Sequence, residues 1–295
     1  MTSRPTVPER RYSERKEVRD DLRPEVFELK RFVETNGHFS LVRNFHLADC
    51  FTLMNGFCGA QSLYASGKFL ITGNPVYAWI ALWFPFFGAI FDLLDGKIAR
   101  WRKSSSMLGQ ELDSLADSIS FGVAPTFAAF ALGLRTQLDL LILTIFVCAG
   151  VARLARFNIT AASLPHDASG KARYFEGLPI PSSLFLVIGM AFCLALGTFE
   201  TSTGPWTGAP LQYTGALGAH FGIQASGVPF GLFSLDISEH LHKAFVYLGA
   251  ESVFGHKLVF EASRFLGIFE VHKLSFLWLG WSMALVSKTL RIPKP

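Results

Sequence analysis

Long apolar segments alternate with short polar connections over most of the chain. Six of these segments predict membrane-spanning helices, because each approaches the roughly 20 apolar residues that cross a bilayer. Their expected bounds are residues 46–64, 77–94, 115–134, 138–154, 180–198 and 274–290. We therefore predict an all-α integral membrane protein with about six transmembrane helices.

The remaining sequence divides the chain into four parts. Residues 1–40 carry many charges of both signs and predict a polar N-terminal tail. The first five spans lie within residues 41–199, which we expect to form the membrane core. Residues 200–272 predict a long loop region that is rich in Gly, Pro and Thr at first and has helical periodicity later. Residues 273–295 contain the last span and a short basic C-terminus.

Charge predicts the orientation of these spans. Charged residues make up 17% of the chain, whereas about a quarter is usual in soluble domains. Lys and Arg cluster after the second and fourth spans and at the C-terminus, and with six spans these clusters all fall on one side. The positive-inside rule makes this side cytoplasmic, together with the tail of residues 1–40 and the C-terminus, and makes the loop region of residues 200–272 non-cytoplasmic. The net charge of +4 is modest and suits anionic lipid better than nucleic acid, so we predict no nucleic-acid partner.

Four aspartates stand at the cytoplasmic ends of two neighbouring spans. Asp92 and Asp95 are three residues apart at the end of the second span, and Asp113 and Asp117 are four apart at the start of the third. Both spacings place side chains on one face of a helix. Since a short connection makes these helices antiparallel neighbours, we expect the two pairs to face each other across one cleft.

Such a cluster needs neutralisation. One carboxylate at mid-span depth costs at least about 2.5–3.5 kcal/mol, and four together also repel. Two remedies exist, namely protonation of the acids or hard divalent cations with oxygen ligands, such as Mg²⁺ or Mn²⁺. Two cations would balance four aspartates, and a two-metal site can polarise a phosphate and stabilise its leaving oxygen. We therefore predict two Mn²⁺ or Mg²⁺ ions at this site.

Residues beside the acids fit a phosphate ligand. Gly96 and Gly109 lack side chains and let a bulky nucleotide approach the backbone. Arg100 follows on the same helix end and carries a planar guanidinium that can bind phosphate oxygens. Together with the acids and Ala99, these residues form a pattern in which eight positions are fixed over 26 residues.

This pattern resembles the full signature of the CDP-alcohol phosphotransferases. It comprises Asp92, Asp95, Gly96, Ala99, Arg100, Gly109, Asp113 and Asp117. The resemblance implies a bundle of six membrane helices whose catalytic core is residues 41–199. It also implies transfer of a phosphatidyl or phospho group from a CDP-linked donor to an alcohol, with release of CMP.

The same resemblance implies a role for each signature residue. Asp92, Asp95 and Asp113 would hold the metals, whereas Asp117 would both touch a metal and accept the proton of the alcohol. The CDP site would be lined by Gly96, Ala99, Arg100 and Gly109.

Three further stretches resemble the phosphatidylserine synthases of this family, and the fungal enzymes most. They are RNFHLADCFTLMNGFCG (43–59), GVARLARFNI (150–159) and YFEGLPIPSS (174–183). The resemblance implies CDP-diacylglycerol and L-serine as substrates and an endoplasmic reticulum membrane as the location. We also expect a homodimer in membrane lipid.

Residues outside the signature have candidate roles with simpler alternatives. Arg153 and Arg156 share a helix face and could supply the cation that a serine carboxylate or phosphate needs, or they could anchor the helix at the lipid surface. Thr52 and Asn55 could touch the nucleotide or its phosphates, or serve packing. We expect the histidines of the last third to be solvated loop residues, because their spacing matches no metal motif: His240, His242, His256 and His272.

Other functions stay open at this point. A sister enzyme acting on inositol or glycerol 3-phosphate would share the signature, although glycerol phosphate needs additional cations. A membrane cation transporter could also use buried acids. That class does not explain why the acids lie at one membrane face, nor the spacing of Gly and Arg.

Overall fold

The computed structural model describes residues 47–102, 107–163, 174–199, 217, 220, 227–287 and 291–293. Within these ranges, only the backbone is described at residues 47, 99–100, 102, 107, 160–163, 174–176, 254, 264–268 and 291–293. The predicted polar tail of residues 1–40 lies outside the described residues.

The first half of the described chain is a set of long helices. Helix α1 spans Leu47–Thr72 and continues past the predicted end of the first span at residue 64. Helix α2 spans Pro75–Arg102. The third predicted span is one continuous helical stretch that consists of α3 (Met107–Asp117), a π turn (Ser118–Val123) and α4 (Ala124–Leu132).

Two further helices complete the membrane part before the loop region. Helix α5 spans Gln137–Ser163. A short strand β1 (Tyr174–Glu176) and a 3₁₀ turn (Ile180–Ser183) then lead into α6 (Leu184–Leu196).

The last third contains more regular structure than a loop. Strand β2 (Leu232–Asp236) pairs antiparallel with β3 (Ile268–His272), and Leu232 lies opposite His272. Three short helices lie between these strands: α7 (Ser238–Tyr247), α8 (Ala250–Phe254) and α9 (His256–Gly267). The chain then enters α10 (Ser275–Val286) and ends in β4 (Arg291–Pro293).

Apolar surfaces identify the chain as a membrane protein. Three helical stretches are long and apolar enough to cross a bilayer, namely Pro75–Ile98, Leu108–Leu132 and Gln137–Ile159, and two shorter apolar helices accompany them. On α2, Trp83, Phe87 and Ile90 are about half exposed and recur at helical spacing. Since a soluble surface would not show such an apolar stripe, this face contacts lipid. The prediction of an all-α membrane fold is confirmed.

A proline in α2 shows how the bundle satisfies its backbone. Pro85 lies inside the helix and has no N–H to donate to the Ala81 carbonyl one turn earlier. The Ser62 hydroxyl of α1 donates to that carbonyl instead, at 2.6 Å. This contact joins α1 to α2, because a free carbonyl within the bilayer would be costly.

The start of α5 is fastened to the start of α10 by one buried acid. Thr136 and Asp139 cap α5 reciprocally, since each backbone N–H donates to the other side chain, at 3.1 and 3.2 Å. Asp139 also accepts hydrogen bonds from the Ser275 hydroxyl at 2.5 Å and from the His272 backbone N–H at 3.0 Å. The His272 ring lies 2.6 Å from the same carboxylate. His272 is therefore buried and paired with Asp139, and the prediction that it is solvated was wrong.

Helix α10 then runs along α5 towards the other end of the bundle. The rings of Phe146 and Trp278 meet edge to face at 5.0 Å, and Arg156 donates to the Val286 carbonyl at 3.1 Å. Strand β4 pairs antiparallel with β1, with Phe175 opposite Ile292. The C-terminus is thereby joined to the connection that precedes α6.

We predict that Ser62→Ala destabilises the protein, because it leaves the Ala81 carbonyl without a donor in an apolar bundle. The expected cost is about 1–3 kcal/mol. Thermal unfolding of the purified protein in detergent measures it. Ser66→Ala is the matched control, since Ser66 is also buried in α1 but its hydroxyl has no partner among the described residues. Equal losses in both variants would contradict the assigned role of Ser62.

Candidate active site

Three of the four predicted acids converge between α2 and α3. Carboxylate oxygens of Asp92, Asp95 and Asp113 all lie within 4.8 Å of one another. Asp95 is buried and the other two are half-buried. Asp117 lies one turn further along α3, is buried, and interacts electrostatically with Asp92 and Asp113. The expectation that the two carboxylate pairs share one cleft agrees with this arrangement.

Helix α1 supplies the hydrogen bonds that orient two of these acids. The Thr52 hydroxyl donates to Asp95 Oδ2 at 2.7 Å, and Asn55 Nδ2 donates to Asp117 Oδ1 at 3.0 Å. Both donors are buried. Thr52 and Asn55 were expected to touch the nucleotide or to serve packing, and the structure instead gives each a carboxylate to position. Contact with the nucleotide stays a prediction.

Glycines let α1 come close enough to make these bonds. A Cβ on Gly59 would lie 2.6 Å from Ser120 Oγ and 2.8 Å from Ser120 Cα, so no side chain fits between α1 and the π turn. On α2, a Cβ on Gly88 would lie 2.7 Å from Asn55 Oδ1. The Ser120 hydroxyl also donates to the backbone carbonyl of Asn55 at 2.7 Å. Small residues therefore set the distance from Asn55 to the acid cluster.

The π turn follows directly after Asp117, and a proline explains it. Pro125, in the first turn of α4, cannot donate to the Phe121 carbonyl four residues earlier. The preceding residue, Ala124, donates instead to Ile119, five residues back. The helix is widened by this register, which places Ser120 against α1. Such π turns occur frequently at functional sites.

The donor set at the cluster fits hard divalent cations. All candidate ligands are carboxylate oxygens, which Mg²⁺ and Mn²⁺ prefer. Asp113 Oδ1 is buried and has no hydrogen-bond partner among the described residues. No described Lys or Arg forms an ion pair with any of the four acids. A buried, unpartnered carboxylate oxygen in this setting is suited to a cation.

The region expected to receive CDP is described in part. No atom lies within 4 Å of the position that a Cβ would take on Gly96, so space is open beside its backbone, and the Gly96 N–H bonds the Asp95 carboxylate. Gly109 lies half-buried on α3. The side chains of Ala99 and Arg100 lie outside the described part of the chain.

The two predicted arginines differ in their surroundings. Arg153 is buried on α5, where its guanidinium lies 5.8 Å from the centre of the Phe157 ring and interacts electrostatically with Asp117. Arg156 donates from Nη1 to the Val286 carbonyl, which ties it to the end of α10. Its Nη2 is buried without a hydrogen-bond partner among the described residues.

Sequence reasoning missed several residues that shape this site. Ser120, Gly59 and Gly88 act through close helix contacts that only the packed bundle displays. Asp49 at the start of α1 is another buried acid and interacts with Asp95. The sequence signal for these residues was the stretch of polar and small residues within an otherwise apolar span.

Fold and site together define an integral membrane protein with a carboxylate cluster suited to divalent metal and phosphate. Comparison with known families narrows this class. The CDP-alcohol phosphatidyltransferase family matches residues 45–219, and the chain belongs to this family. The matched range contains every residue of the signature, including the four acids. Members of the family use divalent metal.

Three individual relatives from this family share the same enzyme name. The chain is 38% identical over 273 residues to the CDP-diacylglycerol–serine O-phosphatidyltransferase of Saccharomyces cerevisiae. The aligned region covers 92% of this chain and 79% of the yeast protein. The enzyme of the same name from Helicobacter pylori is 36% identical over 141 residues, covering 47% of this chain and 54% of that protein. The Bacillus subtilis enzyme is 35% identical over 154 residues, covering 50% and 78%.

We predict that Gly59→Ala lowers activity by about 100-fold, because the added methyl pushes the π turn away from α1 and displaces the Asn55–Asp117 bond. Initial rates at saturating substrate test this. Gly67→Ala is the matched control on the same helix, since nothing lies within 4 Å of the Cβ it adds. Full activity in Gly59→Ala would show that close approach at this point is not required.

Proposed function

We propose that this protein transfers the phosphatidyl group of CDP-diacylglycerol to the hydroxyl of L-serine, giving phosphatidylserine and CMP. The observation that carries the proposal is the convergence of Asp92, Asp95 and Asp113, with Asp117 adjacent, at one end of a membrane bundle. Family membership supports the reaction type. The common name of the relatives from yeast and bacteria supports serine as the acceptor.

The proposed cofactors are two Mn²⁺ or Mg²⁺ ions held by Asp92, Asp95 and Asp113, with Asp117 contributing to the same site. When bound, such ions neutralise the pyrophosphate of the donor and stabilise the oxygen that leaves with CMP. Carboxylates that would otherwise repel each other in the apolar bundle make the site selective for hard cations.

Asp117 is the proposed general base. Its carboxylate accepts the proton of the serine hydroxyl, whose oxygen forms the new bond to the phosphorus that bears diacylglycerol. The bond from that phosphorus to the CMP oxygen breaks, and CMP leaves. Asn55 holds Asp117 Oδ1 through its amide and so fixes the direction of the carboxylate. Burial of Asp117 keeps water, the competing acceptor, away from the base.

We propose Arg153 as the cation that receives the serine carboxylate. It is buried and lies near Asp117, so serine bound there would bring its hydroxyl towards the base. Arg156 lies one turn after Arg153 on α5, and its bond to the Val286 carbonyl fixes the guanidinium. Its Nη2 is then available to a phosphate or carboxylate oxygen. The open space beside Gly96 would accept the nucleotide, with Ala99, Arg100 and Gly109 around it.

The proposed location is the endoplasmic reticulum membrane, with the acid cluster on the cytoplasmic face and residues 200–272 on the opposite side. Basic residues near the acid end of the spans support this orientation. Protease protection of residues 227–272 in sealed microsomes tests it. The homodimer stays a prediction, and chemical cross-linking in native membranes tests that state.

The decisive experiment uses purified protein with CDP-diacylglycerol and offers serine, inositol and glycerol 3-phosphate in turn. We expect label from serine to enter chloroform-soluble lipid with equal release of CMP, to stop with EDTA, and to resume with Mn²⁺ or Mg²⁺. Product with inositol or glycerol 3-phosphate alone would replace serine as the acceptor. Cation flux in vesicles without any lipid product would instead favour a transporter.

We predict that Asp117→Asn lowers kcat by about 10²–10⁴-fold, because the amide cannot accept the serine proton. Binding of CDP-diacylglycerol, measured with labelled nucleotide, is expected to persist. Glu111→Gln is the matched control, since Glu111 is an exposed acid on the same helix outside the cluster. Near-normal turnover in Asp117→Asn would exclude Asp117 as the base.

We predict that Arg153→Lys raises KM for serine at least tenfold, because an ammonium lacks the two-pronged geometry that binds a carboxylate. KM for CDP-diacylglycerol is expected to stay the same. Arg135→Lys serves as the control, since Arg135 caps the end of α4 through the Phe130 and Ala131 carbonyls. A rise in KM for CDP-diacylglycerol alone would assign Arg153 to the donor phosphates.

A further inference from the structure

A second cluster of metal-ligating side chains lies in the helices between β2 and β3. His242 belongs to α7, Glu251 to α8 and His256 to α9. One ligand atom from each of the three lies within 4.8 Å of the others. The sequence prediction placed these histidines in solvent, because their spacing of 14 residues matches no motif. The turns at Gly249 and Gly255, both with positive φ, bring the three short helices together.

The two imidazoles and the carboxylate of this cluster are in close contact. Glu251 Oε1 lies 2.5 Å from His256 Nδ1 and 3.8 Å from His242 Nε2, and the two imidazole rings are 5.7 Å apart. His242 makes no hydrogen bond among the described residues, and its Nδ1 is fully buried without a partner. His242 therefore turns Nε2 towards Glu251 while its Nδ1 has no protein partner, an arrangement that suits a metal ligand.

We propose that His242, Glu251 and His256 form a binding site for a divalent transition metal, with Zn²⁺ as the ion of choice. Two imidazoles and one carboxylate suit Zn²⁺, whereas Mg²⁺ and Ca²⁺ take oxygen ligands. In a tetrahedral zinc site, ligand atoms lie roughly 3.4 Å apart. The separations of 2.5 and 3.8 Å bracket that value, and the His256 side chain, 73% exposed, is free to adjust. Water completes the shell from the open side.

A metal would add stability here, because this part of the chain buries little apolar surface. Helix α7 has no buried residue, and Tyr247 and Leu248 at its end are 92% and 75% exposed. Small units without an adequate core are commonly held together by a metal or by disulfides. Since the three ligands come from three successive helices, one ion joins α7, α8 and α9 at a single point.

This site is separate from the acid cluster. Strand β3 and His272 attach the unit to Asp139, at the start of α5, whereas Arg153 beside Asp117 lies 14 residues further along that helix. At 1.5 Å per residue the two levels are about 21 Å apart along the helix, roughly two thirds of the ~30 Å apolar thickness of a bilayer. The protein therefore has an oxygen-only cation site at one end of its bundle and a nitrogen-containing site at the other.

Zn²⁺ binding to the purified full-length protein tests the inference. The protein is stripped with chelator, Mg²⁺ is added in excess to fill the acid cluster, and Zn²⁺ is titrated against a chromophoric chelator. We expect one Zn²⁺ per chain in the wild type and in Asp92→Asn. Affinity should fall at least tenfold in His242→Ala and in Glu251→Gln, and stay unchanged in His240→Ala, a neighbouring exposed histidine outside the cluster.

Two measurements on the wild-type protein keep the test valid even if a variant misfolds. Co²⁺ replacing Zn²⁺ should give the visible absorption of a four-coordinate site in the wild type, and Zn²⁺ should slow proteolysis within residues 238–267. Equal Zn²⁺ affinity in the wild type and both ligand variants would overturn the inference, as would binding that Asp92→Asn abolishes. Neither result bears on phosphatidyl transfer, which the serine assay measures independently.

Discussion

The carboxylates of Asp92, Asp95 and Asp113 repel one another, and the apolar helices around them provide little to offset that repulsion. Divalent cations remove the repulsion, but they require ligand atoms held at fixed positions. The first helix meets this requirement, because its Thr52 donates to Asp95 and its Asn55 to Asp117. Close packing of α1 against α2 and the π turn, at Gly59 and Gly88, brings these two donors within hydrogen-bond distance of the acids.

Hydrogen bonds between separate segments of the chain occur at both ends of the bundle. At the acid end, donors from α1 bond carboxylates, and further along α1 Ser62 donates to the carbonyl that Pro85 leaves free. At the opposite end, Asp139 collects hydrogen bonds from three parts of the chain, including His272 and Ser275. The contacts made by Thr52, Ser62 and Ser275 each join two helices. Such bonds stabilise the bundle because an apolar layer holds no water to replace a missing partner.

The sequence predicted the apolar helices of the membrane fold and the acid cluster, because both depend on local spacing. A run of apolar residues is enough for a span, and separations of three and four place Asp92 with Asp95 and Asp113 with Asp117 on common faces. Contacts between distant segments were not predictable in this way. The bond from Asn55 to Asp117 and the His242–Glu251–His256 cluster depend on the angles at which helices meet. His272 was misjudged for the same reason, because its partner Asp139 lies 133 positions away.

Pairing of β1 with β4 has a consequence for how the chain is made. The loop before α6, which contains Gly177, rests against the Leu285 carbonyl and continues the ribbon formed with Arg291–Pro293. A ribosome releases this loop more than 100 residues before its partner strand. Arg156 is likewise synthesised long before Val286, whose carbonyl accepts the hydrogen bond that fixes its guanidinium. The contact that fixes Arg156 therefore forms only after α10 has been synthesised.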